Sequence, residues 1–267
     1  MGKLKMIDDE LVEDDRATNI WSVSSLKTIH SCGKQWEFRY RSDVEQVETP
    51  YLAFGSVVHK IIENIHKTND FSDSWEREWN SMWFERSKDI DWTGYRKTEF
   101  NNRGPKLIGR YVDQNKEAKV LEVEYKFPAE DKVYKIGGFE IKGVIDQIRR
   151  TDAGRLLVID IKTAKYPPDP LVLRHDPQLT FYYYVAREKY GEEPILGIYS
   201  LESNKILYTN RTQEDIEMVS EALREGQLKV DNNMFTRNIT NNCKWCPFLT
   251  ACLGTNEEIN QINLTEL

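Results

Sequence analysis

No apolar stretch in this chain of 267 residues approaches the roughly 20 that a membrane-spanning helix needs. Its opening, MGKLKMIDDELVEDDR, has none of the apolar core of a secretory signal. Repeats and low-complexity segments are missing as well, which sets aside solenoid architectures. Positive charge is scarce: 37 Lys and Arg face 44 Asp and Glu, a net charge of -7. A general nucleic-acid coat would be basic, so that class is disfavoured. A metal-dependent nuclease also needs an acidic centre, and the deficit leaves it open. With 30% charged residues, the expectation is a soluble protein of a reducing, cytoplasmic compartment with no membrane partner.

Cysteine is rarer still, with 4 in the chain. Cys32 stands alone near the N-terminus. Cys243, Cys246 and Cys252 stand together near the C-terminus, spaced C-x2-C-x5-C. This distribution suggests one four-thiolate site closed by bringing the two ends of the chain together. Zinc and a cubane iron–sulfur cluster both accept four thiolates. Zinc ribbons usually pair two CxxC hooks, so one lone cysteine plus three favours iron–sulfur. Four ordinary buried thiols are the plain alternative.

Periodicity orders the rest. Ser24 or Ser25 caps a short helix through Leu26, Ile29 and Trp36, carrying Cys32 and the basic, aromatic stretch from Lys34 to Arg41. Helices are expected over Gly55–Lys67, Ser74–Lys88 and Lys106–Lys116. The period then changes. Strands are expected at Val120–Phe127, Val133–Ile136 and Phe139–Arg150, and the apolar run Leu156–Ile161 reads as a central strand buried on both faces. A helix over Asp169–Tyr190, strands at Pro194–Leu201 and Ile206–Thr209, and a helix over Thr212–Gly226 complete the order.

Asp160 interrupts the most apolar of these segments. A bare buried carboxylate is costly, so it needs a reason. Lys162 lies two residues on and shares its face of the strand. Asp146 sits in a similar apolar strand, and neighbouring strands could present both acids to one point. Two carboxylates and a backbone carbonyl make a hard oxygen site suited to Mg²⁺ or Mn²⁺. An Asp–Lys pair at a strand end is the structural alternative. Glu124 could support such a site or be a solvated strand acid.

Asp146 followed by Asp160-Ile161-Lys162 resembles the D…(D/E)xK core of the PD-(D/E)XK nucleases. Gln178-x-x-x-Tyr182 resembles the QxxxY motif of their RecB-like branch, and His59 its upstream helix histidine. The cysteines resemble those of its iron–sulfur members. The similarity is greatest to the CRISPR-associated RecB-like exonucleases and their phage-borne relatives, and runs from about Ser24 to Cys252. Two positions depart from the pattern: Ile145 stands where Pro precedes the first acid, and Asp160 replaces the more frequent Glu.

The resemblance implies a restriction-endonuclease-like mixed α/β core, a mixed sheet flanked by helices. The expected order is an acidic tail (1–20), a helical region carrying Cys32 and His59 (21–118), the nuclease core (119–230), and an iron–sulfur segment and tail (231–267). It also implies a DNA exonuclease acting on single strands or ends in recombination, repair, replication or CRISPR adaptation, in the host cytoplasm if phage-encoded. Asp146, Asp160, the Ile161 carbonyl and His59 would hold the divalent ion. Lys162, Gln178 and Tyr182 would complete the catalytic set, and Cys32, Cys243, Cys246 and Cys252 would hold a 4Fe-4S cluster. Lys34, Trp36, Arg39 and Arg41 are candidate contacts to single-stranded DNA. The rival reading is a non-catalytic DNA-end-binding or adaptor protein that keeps the fold. A complete D…DxK set argues against it, and a zinc-stapled enzyme is a third form.

Overall fold

The computed structural model describes residues 20–130 and 132–254. The expected acidic tail, save Ile20, and the chain after Gly254 lie outside the described residues. The elements are β1 (Ile20–Ser22), α1 (Val23–Ser31), α2 (Gly33–Arg41), α3 (Pro50–Thr68), α4 (Ser74–Arg86) and α5 (Lys97–Asn115). Then come β2 (Lys119–Phe127), β3 (Tyr134–Ile136), β4 (Phe139–Arg150), β5 (Leu156–Lys162), α6 (Pro170–His175) and α7 (Pro177–Tyr190). β6 (Ile195–Ser200), β7 (Lys205–Thr209), α8 (Gln213–Asp231), a 3-10 turn (Asn241–Trp245) and α9 (Leu249–Leu253) follow. This is the expected mixed sheet with flanking helices. The strand order is β1-β4-β5-β6-β7, with β2 and β3 also pairing with β4.

The chain divides into two units: Val47–Tyr134 with Lys142–Val219, and the described parts of Met1–Gln46, Lys135–Ile141 and Ser220–Leu267. In the larger unit, β2 and β4 are antiparallel, β4 and β5 antiparallel, β5 and β6 parallel, and β6 and β7 antiparallel. The parallel step needs a crossover, and α6 with α7 supplies it. β5 is buried along its length until Lys162, as a central strand covered on both faces must be.

α3 begins at Thr49, whose hydroxyl accepts from the Leu52 N–H, with Pro50 in its first turn, and ends at Asn69 in the left-handed region (φ 52°). Its apolar positions, Ala53, Phe54, Val57, Val58, Ile61, Ile62 and Ile65, recur every three or four residues and form one buried stripe. Trp75, Trp79 and Trp83 of α4, Leu107, Ile108 and Tyr111 of α5, and Leu157, Ile159 and Ile161 of β5 meet it in one core. α7 packs against β5 and β6.

In the smaller unit Cys32 is extended (φ -159°, ψ 109°) and breaks one helix into α1 and α2. Gly33 lies so close to the backbone of Met234, Phe235 and Thr236 that a Cβ would stand 2.9 Å from Phe235 Cα. The Lys34 N–H donates to the Thr236 carbonyl at 3.1 Å, so the chain after α8 is laced to the start of α2.

Candidate metal centre and cysteine site

Three strands of the larger unit bring three acids to one level. The β2–β4 register runs Val123↔Gln147 and Tyr125↔Ile145, so Glu124 stands across from Asp146. The β4–β5 register runs from Arg150↔Leu156 to Gln147↔Ile159 and stops; one step on, Asp146 would oppose Asp160. Regular pairing ends there because the Asp146 side chain intervenes. Its Oδ2 accepts from the Ile161 N–H at 2.5 Å. Glu124 has φ 50°, an uncommon backbone for a non-glycine residue, and such strain clusters at functional sites.

α3 contributes His59, whose Nδ1 lies 3.6 Å from Asp146 Oδ1. One ligand atom each of His59, Glu124 and Asp146 lies within 4.8 Å of the others, and this is the sole such group of metal-binding residue types among the described residues. Asp160 stands beside that trio, turned toward Lys162. The Lys162 Nζ donates to Asp160 Oδ1 at 3.1 Å and lies 2.8 Å from Oδ2. Oδ2 makes no hydrogen bond despite full burial; the ammonium approaches it outside hydrogen-bonding angles. Lys162 Nζ also donates to Gln178 Oε1 at 3.2 Å, and Gln178 Nε2 to Tyr182 Oη at 2.8 Å. Gln178 is set by the start of α7, where its N–H bonds the Asp176 carboxylate at 2.8 Å.

Burial and repulsion from Asp146 push the Glu124 carboxyl up to about 7. Burial, with repulsion from Asp146, also raises Asp160 against the pull of Lys162 and His59. Burial would raise Asp146 too, but His59, Lys162 and the Ile161 N–H outweigh it and hold it low. Burial works against charge on His59 and Lys162, yet the facing carboxylates raise both. Three converging carboxyls against one lysine and one histidine, with an orphaned buried oxygen, form a donor set that fits a hard divalent cation. Ile161 lies within this set through its N–H.

The sequence left Glu124 undecided between support and solvent, and its half-buried place facing Asp146 is the feature it could not resolve. Lys34, Trp36, Arg39 and Arg41 lie in the smaller unit. Trp36 is 6% exposed, with its indole N–H on Ser25 Oγ and its ring stacked on Phe235. That is a packing position, so the ring offers no base-stacking face. Lys34 pairs with Glu37 at 2.5 Å. Arg41 bonds Asn233 and lies over the Trp36 and Phe235 rings. Arg39 is half-buried, with its Nε shielded and unbonded.

All four cysteines are unpaired by disulfides and line one cavity of the smaller unit, with Phe38, Asn238 and Phe248 among its other walls. The 3-10 turn presents Cys243, Cys246 caps its end, and α9 presents Cys252. The Asn238 N–H lies 3.5 Å from Cys32 Sγ, and the Thr240 N–H lies 3.4 Å from Cys243 Sγ. Amide donors aimed at sulfur are contacts of the kind that surround metal-held cysteines. Burial, followed by the proximity of Cys32, Cys243 and Cys252, raises the Cys246 thiol.

The sequence profile of the PD-(D/E)XK nuclease superfamily matches residues 20–253. A solved chain from Eubacterium rectale, described as "Putative exonuclease", shares the fold at a TM-score of 0.52 and 13% identity, over 91% of this chain and 93% of its own. A second solved chain, SSO0001, aligns over 86% of this chain and 95% of its own at 16% identity. Its TM-score of 0.36 is too low to argue from. No curated protein matches the sequence significantly.

Proposed function

We propose, because this chain belongs to the PD-(D/E)XK nuclease superfamily, that it is a divalent-metal-dependent deoxyribonuclease working as an exonuclease on single strands or DNA ends. The observation that carries this is the convergence of His59, Glu124 and Asp146 beside the unbonded Asp160 oxygen and the Lys162 ammonium. His59, Glu124, Asp146 and Asp160 would hold Mg²⁺ or Mn²⁺, with the Ile161 carbonyl as a further oxygen. The bound ion supplies a water of lowered pKa and neutralises charge on the scissile phosphate.

The chain's own groups do the rest. Lys162 keeps its proton at neutral pH, because Asp160 and Asp146 raise its pKa against burial. It can therefore donate to a phosphate oxygen as charge builds there. Gln178 holds that ammonium through its Oε1 and is itself held by Tyr182. Tyr182 stays protonated, since burial and then the site acids push its pKa well up. This relay keeps Lys162 from collapsing wholly onto Asp160.

A 4Fe-4S cluster on Cys32, Cys243, Cys246 and Cys252 belongs to the same reading. It is supported by their shared cavity and the amide donors on two sulfurs. Recombination, repair or CRISPR adaptation would be the setting, with protein partners of such a complex. The test is cleavage of 5′- and 3′-labelled single strands and duplex ends with Mg²⁺ or Mn²⁺. Metal-dependent release of nucleotides from an end supports the reading; an inert protein overturns it. Visible absorption of anaerobically purified protein separates an iron–sulfur cluster from colourless zinc.

A further inference from the structure

The segment between Lys162 and Gln178 leaves the metal centre and returns to it. Its two ends are bonded to each other, Lys162 Nζ to Gln178 Oε1. It is also pinned along its course. Arg103 donates to the Thr163 carbonyl at 2.5 Å. The buried Arg211 guanidinium donates to the carbonyls of Leu173 (3.1 Å) and Asp176 (2.9 Å) and to Thr180 Oγ1 (2.9 Å). Arg174 pairs with Asp215 at 2.7 Å. Between the pins at its two ends the segment faces water with apolar side chains: Tyr166 is 77% exposed, Leu171 70% and Val172 58%. An apolar, exposed surface rooted in a site is the mark of a docking surface. Its root in the metal centre names the occupant. Across 163–177 Lys165 and Arg174 are matched by Asp169 and Asp176, and Arg174 is paired with Asp215, which leaves Lys165 as the cation of the exposed stretch. Lys165 stands next to Tyr166. A cation beside an aromatic face suits a phosphate beside an unpaired base; in a duplex the base faces are already stacked.

We propose that the 163–177 segment is the strand-binding element of the site, with Tyr166 stacking on an unpaired base of single-stranded DNA, Lys165 on its phosphate, and Leu171 and Val172 extending the apolar floor. This rests on the nuclease reading. It makes single strands the substrate class.

The experiment measures binding of a short fluorescent oligothymidylate by anisotropy in EDTA, so that no cleavage enters. Tyr166→Ala should weaken binding about tenfold, a typical loss for one stacked base. Tyr166→Trp should retain it. Tyr208→Ala, which removes a 60%-exposed tyrosine from β7, should leave it unchanged. A strand with abasic sites should bind wild type and Tyr166→Ala alike. Tyr166→Ala within twofold of wild type overturns the proposal. So does an equal loss on the abasic strand or on a duplex, or a wild type that binds no single strand. If Tyr166-dependent binding holds but wild type cleaves nothing with Mg²⁺ or Mn²⁺, strand binding stands and the nuclease reading falls.

Discussion

Asp146 and Asp160 differ in how they tolerate burial, and the difference sets what their removal does. Asp146 is held ionised by His59, Lys162 and the Ile161 N–H, whereas one oxygen of Asp160 has no hydrogen bond. Either Asp→Ala change should reduce cleavage by 10²-fold or more while leaving a folded protein, read by steady-state rate and circular dichroism. Millimolar Mn²⁺ should raise the melting temperature of wild type and not of Asp146→Ala, because only a metal that binds the folded form shifts it. Glu124 shows why the sequence stopped short here. Glu122 and Glu124 alternate identically in the strand, and the register shift between Val120 and Glu122 that sets their surroundings has no sequence signature. His66 has a role that no local pattern announces, since its partner Tyr111 is distant in sequence. Tyr111 Oη accepts from Gln147 and Arg149, so its own proton goes to His66 Nε2 at 2.6 Å. Burial, then Arg149, lowers His66 to about 4. The unfolded chain takes up this proton near pH 6.5 and the folded one does not, so stability is lost as pH falls from 6.5 toward 4. The loss is about 2 kcal/mol at pH 5 relative to pH 8. Denaturant titrations should show this step in wild type and a smaller one in His66→Gln.

Among the elements, most helices and strands were legible from their period. A helix is expected from Lys106, just past Gly104-Pro105, but α5 runs from Lys97 with Pro105 inside it. Gly104 is there for packing: a Cβ would overlap the six-membered ring of Trp79, which is 2% exposed and stacked on Trp83. Gly104→Ala should therefore destabilise by about 1–3 kcal/mol, although alanine is the better helix former. A fall of several degrees in melting temperature checks this, and an unchanged or higher value would contradict the packing. The helix expected over Asp169–Tyr190 is two, α6 and α7, because Asp176 takes an extended backbone and caps the second. The break before Gln178 has a local signal, the capping Asp176 followed by Pro177 at the first helical position, and Arg211 bonds to the Asp176 carbonyl reinforce it. At Cys32 an extended residue splits the helix expected to run on to Trp36. β1, at 3 residues, is too short to carry a period.

At the scale of the whole molecule, the cysteine pattern was the clearest signal, because four thiols in an otherwise cysteine-free chain have few reasons to be spaced as they are. Lys34, Trp36, Arg39 and Arg41 were a weaker signal: an aromatic–basic run reads the same whether its tryptophan faces solvent or, as here, Phe235. If one cluster joins the four sulfurs, Cys32→Ala should cost as much iron and as many degrees of melting temperature as Cys246→Ala, since either breaks a link that closes most of the chain into a loop. Full iron in Cys32→Ala would remove that residue from the site. The cysteine unit is also assembled from the beginning, a short middle piece and the last part of the chain, whereas every residue of the metal-centre unit precedes Ser220. A ribosome thus releases Glu124, Asp146 and Asp160 before it has made Cys243, Cys246 and Cys252. During synthesis the nuclease sheet is complete in sequence while its companion still waits for its closing segment, so a prematurely terminated chain would carry the three converging acids without three of the four cysteines.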